Sequence, residues 1–202
     1  MPLFIAVAVL AGLVAGWASG GSLARLGSAR LRLVWLAPLA LGAQLYLVRA
    51  VGSDVPWWVW PLHVGSYALL LAVVLANRRL PGLPVIGLGL LLNAAVIGAN
   101  GGLMPQAPET AQLRHPGDVL AIGRPIPNSK DVLLPRQATR LWWLSDFVVV
   151  PSGGHRPPVA SPGDVVLALG LAVTVCGLMR PSAPGAGRRV RTLQQTPEGI
   201  SK

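Results

Sequence analysis

Five apolar runs dominate this chain. They cover about 2–18, 33–51, 57–76, 80–100 and 164–179, and the only charged residues inside them are Arg49 and Asp164. A helix that crosses a bilayer needs roughly 20 consecutive apolar residues. The runs therefore predict an all-α, integral membrane helical bundle of about five transmembrane helices. The last run is short, and sixteen residues at about 1.5 Å each rise about 24 Å. It would stand upright or borrow flanking residues. Only 12% of the 202 residues are charged, about half the usual fraction of a soluble domain. Residues 1–180 form the membrane unit on this reading, and 181–202 form a disordered basic cytoplasmic tail.

The net charge of +10 is distributed by side. Connections 19–32 and 77–79 and residues 180–202 carry ten bases and one acid. The opposite side carries seven bases and six acids. The positive-inside rule then places the amino end outside and the carboxyl end in the cytoplasm. The basic excess reads as a topology signal and an attraction to anionic lipid, not as a nucleic-acid surface. The first run has no positive residue before it, so it reads as an uncleaved span and not a signal peptide. Trp57, Trp58 and Trp60 fall at the outer end of a span, and Trp17 and Trp35 at the inner side, as interface anchors do. The single Cys176 excludes an intrachain disulfide.

Lipid gives helices no hydrophobic reason to pair, so small residues supply close packing. Gly12, Gly16 and Gly20 repeat at four-residue spacing. They predict a seam, either within the chain or towards a membrane-protein partner or a second copy. Pro38 predicts a kink in the second span. His63, Ser66 and Tyr67 share one helical face, and Gln44 lies in the preceding span.

The stretch NAAVIGANGGLMP places amides on an apolar helix and then stops it. Gly89, Asn93, Val96 and Asn100 form one stripe. An unpaired amide in hydrocarbon costs several kcal/mol, so the stripe must face other helices, with Gln44 or the His63–Ser66–Tyr67 patch as facing groups. Two readings stay open: interhelical hydrogen bonds, or a polar pocket near the outer leaflet. Gly101 or Gly102 can close the helix in the left-handed conformation. Pro105 leaves Met104 extended.

ANRRLPG (76–82), LLLNAAVIGANGGLMP (90–105), and the later LSD and SPGD elements resemble a bacterial membrane-protein family, domain-of-unknown-function family 5317. The resemblance covers roughly residues 1–180. Asn100, Gly101, Gly102, Met104 and Pro105 carry its most specific mark, Asn-Gly-Gly-x-Met-Pro. Leu144-Ser145-Asp146 departs by having Ser where the family pattern has Gly. The resemblance implies a polytopic inner-membrane protein and no activity.

Residues 101–163 are rich in proline and glycine and hold too few apolar clusters for a core of their own. They are expected to lie on the bundle or the bilayer. TRLWWLSDFVVV (139–150) reads as an interfacial or re-entrant helix. Asp146 needs a partner there, with Arg136 or Arg156 better placed than Arg140. SPGD reads as a capping box with Ser161 as N-cap, Pro162 as first helical residue and Asp164 as third.

His115, Asp118, Asp146, His155 and Asp164 lack a compact metal spacing. Ser152 with His155 is too generic for a triad. No phosphate loop or dinucleotide fingerprint occurs, so neither a metal nor a cofactor is implied. The expected ligand-binding residues are Asn93, Asn100, Gly101, Gly102, Met104, His63, Asp146 and Asp164. A non-enzymatic bundle with an outward-facing polar pocket for a small molecule, lipid or partner protein is the leading expectation. A membrane-embedded enzyme or transporter subunit and a purely structural assembly protein are the alternatives.

Overall fold

A computed structural model describes residues 2–150 and 157–180. Ser152, His155, Arg156 and the basic tail 181–202 lie outside the described residues. Among the described residues there are seven helices: α1 (Pro2–Ala18), α2 (Leu23–Ser28), α3 (Leu36–Ala50), α4 (Val59–Ala76), α5 (Leu83–Ala99), α6 (Pro108–Arg114) and α7 (Pro162–Met179). Two strand pairs complete them. β1 (Met104–Gln106) runs parallel to β2 (Asp131–Leu133), and β3 (Val148–Val149) runs antiparallel to β4 (Val159–Ala160). The chain is thus mostly helical, and each of the five apolar runs contains one long helix.

Prolines mark where these helices begin. Pro38, Pro61, Pro84, Pro108 and Pro162 each fall within the first three residues of a helix. A first-turn residue has no intrahelical partner for its N–H, so proline loses nothing there. This corrects the expected kink at Pro38, which required that residue to lie in a helix interior. The seventh helix also begins two residues earlier than expected. At 18 residues it is among the longest, and α3 at 15 is the shortest of the five.

The five long helices form a row in the order α1, α7, α5, α4, α3. The row is held by small residues. A Cβ on Gly89 of α5 would lie 2.7 Å from the Gly163 carbonyl oxygen and the Leu167 nitrogen of α7, and one on Gly170 would lie 2.6 Å from the Ile86 nitrogen. Gly82, with φ +83, abuts Thr174. Glycines at seven-residue spacing on two antiparallel helices therefore bring α5 and α7 to backbone contact. Gly12 does the same for α1 against the Ala172 backbone, and Gly16 makes room for the Met179 side chain of α7. That is the within-chain form of the expected seam. Gly20 has φ +74 and open space around it, and it serves the turn after α1.

Residues 101–150 and 157–160 fold back over one end of the row. Leu103 and Val132 pack on Leu47, Val51 and Val59, and a second small cluster gathers Ala111, Ile126 and Leu133. This lid lies on the bundle, as its poverty in apolar residues requires. It is not built as expected at 139–150. No interfacial or re-entrant helix forms there. Leu141 has φ 53, and a single 3-10 turn covers Trp142–Leu144. The Ser145 hydroxyl then donates to the Trp142 carbonyl at 2.6 Å, and ψ 177 sends the chain out extended. Asp146 N–H donates to the Pro105 carbonyl at 3.1 Å, and β3 follows. β-branched valines and a strand partner outweigh the apolar run that looked helical.

Two helices, α4 and α7, are long and apolar enough to cross a membrane; α1, α3 and α5 are shorter apolar helices.

Candidate functional site

The polar residues gather where the lid meets α4, α5 and α7. Asn93 is 1% exposed. Its Nδ2–H donates to Asp164 Oδ1 at 2.7 Å, and its Oδ1 accepts from the Ser161 hydroxyl at 2.9 Å. The predicted capping box supplies the other side of this pair. Asp164 N–H donates to Ser161 Oγ at 3.0 Å, and Ser161 N–H donates to Asp164 Oδ2 at 3.3 Å. The cap of α7 is therefore bonded to the middle of α5. Gly163 has no side chain to stand between them, because a Cβ there would collide with the Asn93 amide. Of the expected partners, Tyr67 of the α4 patch hydrogen-bonds the Asn93 side chain, whereas Gln44 is bonded elsewhere. The amide also reaches across the glycine seam to α7.

Asn100 ends α5 and grips the lid. Its Nδ2–H donates to the Val96 carbonyl at 2.7 Å and the Arg140 carbonyl at 2.9 Å, and its Oδ1 accepts from Arg140 N–H at 3.0 Å. Gly101 and Gly102 have φ +78 and +93. Gly102 N–H donates to the Ile97 carbonyl at 2.9 Å, the long bond of a Schellman closure. Gly102 is constrained twice, since a Cβ would lie 2.6 Å from Trp60 Cα. Its carbonyl accepts from His63 Nδ1–H at 2.6 Å. That bond leaves Nε2 of the neutral ring as an acceptor, and among the described residues Nε2 is buried without a partner. Met104 is buried in the apolar cluster of Tyr67, Leu90 and Leu144 and pairs with Asp131 in the strand register.

Above these residues sits a group of lid charges. Lys130 Nζ donates to Gln44 Oε1 at 2.8 Å, Gln44 Nε2 donates to Ser66 Oγ at 3.1 Å, and Ser66 Oγ donates to the His63 carbonyl at 2.7 Å. Burial lowers the Lys130 pKa, opposed by the nearby charges of Asp131, Asp164 and Asp146. Asp131 is raised by burial and held back by Arg114 and Lys130. Asp146 is raised well above the ordinary 3.8, first by burial and then by the charges of Asp131 and Asp164. Its Oδ1 has no hydrogen-bond partner among the described residues. Gln106, its bridge partner, is 0% exposed, and both its side-chain polar atoms are unpaired among the described residues.

Neither arginine weighed beside Asp146 is seen to pair with it. Arg136 lies over the Trp142 ring at 3.3 Å, and Arg156 is outside the described residues. Arg140 is tied through its backbone to Asn100.

The structure brings His63, Asn93, Gly102, Asp146 and Asp164 into one region. Asn100, Gly101 and Met104 form its frame. Sequence reasoning missed Gln106, Lys130 and Asp131 as members. Their signal was present but weak: Gln106 and Asp131 lie in short Pro-bounded segments that only pairing reveals as strands. Among the described residues no group of three or more His, Cys, Asp or Glu side chains is placed to hold a metal ion.

A family of unknown function (DUF5317) matches residues 28–176, nearly three quarters of the chain. The chain belongs to this family. The DUF5317 match covers every residue of the site from His63 to Asp164, and it begins after α1. Neither a curated protein nor a solved structure is significantly similar to the chain.

Proposed function

We propose that this DUF5317 member is a multi-pass protein of the bacterial inner membrane, crossing it five times with the amino end outside. Its outward end would carry a closed polar site for a small polar molecule or a partner segment. Several observations support the membrane reading. The span windows of α4 and α7 are only 28% and 33% buried, whereas a core helix of a soluble protein is covered nearly all round. Leu10, Val14, Leu39, Leu45, Leu88 and Leu169 are exposed on the helix row, an arrangement suited to lipid. Trp57, Trp60 and Trp143 are exposed at the lid end, and Trp17 and Trp35 at the other, matching two interfacial belts. Helices of 15–18 residues span about 22–27 Å, so they suit a thin or locally thinned bilayer.

The observation that carries the binding reading is the unmet polar demand beneath the lid. The Gln106 amide, Asp146 Oδ1 and His63 Nε2 are all buried without protein partners among the described residues. Each such group costs about 1–3 kcal/mol if nothing bonds it. A ligand with both donors and acceptors, or ordered water, would meet that demand. Binding is favoured over catalysis because Asn93, Ser161 and Asp164 are consumed by one another. A second reading, a proton-handling transporter subunit, is favoured by the raised Asp146 alone.

Native mass spectrometry of the detergent-purified protein tests the proposal. A small molecule retained by the wild type and lost from Gln106→Leu supports it. Identical mass spectra with no retained species, and unchanged cellular behaviour of Gln106→Leu, would argue against a site.

A further inference from the structure

We infer that the end of the bundle opposite the lid holds a binding site for a phosphate group. A cavity of about 530 Å³ opens there between the 30–32 segment and the turn after α4, and it is lined by Arg30, Arg32, Arg78 and Arg79. The four arginines belong to two connections that are distant in sequence. Asn77 brings them together. Its Oδ1 accepts from Arg32 N–H at 2.8 Å, and its Nδ2–H donates to the Arg32 carbonyl at 2.8 Å and the Val73 carbonyl at 2.7 Å. One buried amide thus mimics a strand partner for Arg32 and fixes that segment against the end of α4. The amide's hydrogens and oxygen are all engaged, so Asn77 positions the site and leaves binding to the arginines.

The electrostatics are one-sided. Asp54, Glu109, Asp118, Asp131, Asp146 and Asp164 all belong to the lid end, and no acid among the described residues faces the four arginines. Like charges gathered without a counter-ion repel, and a dianion or monoanion relieves that repulsion. Guanidinium forks match the paired oxygens of phosphate. On the proposed orientation this end is cytoplasmic, where basic pockets beside helix ends take anionic lipid headgroups. The phosphate would come from such a headgroup or from a soluble phosphate ester.

The test uses the full purified chain in detergent, with binding read by native mass spectrometry and thermal shift. Phosphatidylglycerol is expected to bind about tenfold more tightly than phosphatidylcholine. Arg30→Gln with Arg78→Gln should bring the two within about twofold. Arg30→Lys with Arg78→Lys keeps the charge and the topology, and should lose part of the preference through the missing forks. Arg25→Gln, at the same end but outside the cavity, should leave the preference intact. Millimolar inorganic phosphate that displaces the lipid identifies a soluble phosphate as sufficient; lipid binding unaffected by phosphate identifies the headgroup. No preference for phosphatidylglycerol together with no shift by inorganic phosphate overturns the inference. So does an equal loss in Arg25→Gln, which would make the preference a property of net charge alone.

Discussion

Asn93 and Asp164 are 71 residues apart in the chain, and their side chains meet at 2.7 Å between the middle of α5 and the cap of α7. This contact joins the helix row to the start of its last member. It also turns a local capping device into a tertiary one, because one carboxylate oxygen serves the cap and the other serves Asn93.

Asn93→Leu removes both hydrogen bonds to α7 and leaves the buried Asp164 Oδ1 and the Ser161 hydroxyl hydrogen without their partners. The expected loss is about 2 kcal/mol, read as a lower detergent unfolding midpoint. Ser161→Ala should cost about 1 kcal/mol through the cap. If Asn93→Leu proves as stable as the wild type, the amide bridge is dispensable.

The glycine seam predicts opposite signs for one kind of substitution. Gly89→Ala and Gly170→Ala place a Cβ within 2.7 Å of backbone atoms of the facing helix, and each should destabilise by about 1–3 kcal/mol. Gly65→Ala lies in α4 with open space around it and should stabilise by about 0.5–1 kcal/mol. Thermal unfolding of the three variants checks the contrast.

Asp146 sets a pH dependence. Its folded pKa is raised from 3.8, so the folded state holds its proton more tightly than the unfolded chain does. Its stabilising contribution is complete below pH 3.8 and is lost as pH rises through the raised folded value. At neutral pH, Asp146→Asn removes that loss and should gain about 1–3 kcal/mol. The difference between variant and wild type should shrink as pH falls. A difference that grows towards acid would reverse the sign of the account.

Gly102 serves two neighbours at once. Gly102→Ala forces a Cβ against Trp60 at φ +93 and disturbs the His63 bond. A loss of about 1–3 kcal/mol is expected, larger than for Gly101→Ala, which shares the positive φ but has open space. Equal effects at the two positions would leave backbone conformation as the sole cause.

How much of this was legible depended on the range of the interaction. Apolar runs located all five long helices, because the signal is carried by each run alone. Ser161-Pro162-Gly163-Asp164 announced its own capping box for the same reason. The α7 partners of Asn93 were not legible, since Ser161 and Asp164 lie 68 and 71 residues away and only the Gly89–Gly163 approach brings them close. The spacing of Gly163, Gly170 and Gly177 offered a clue to that approach. In the lid, Trp142 and Trp143 and the valines after them looked like one helix. The left-handed Leu141 and the strand contact of Asp146 with Pro105 have no local signature. Gln106 drew no notice as a lone polar residue after Pro105, and only its pairing with Leu133 and Asp146 buries it.

The proposed placement of the two ends across a bilayer underlies the account, and cysteine labelling of intact bacterial cells tests it most directly. Val119 is fully exposed on the lid, and Ser28 is exposed at the opposite end. Val119→Cys is predicted to react with a membrane-impermeant maleimide in whole cells, and Ser28→Cys only after the inner membrane is permeabilised. The reverse pattern, or equal labelling of a protein recovered without detergent, would contradict it.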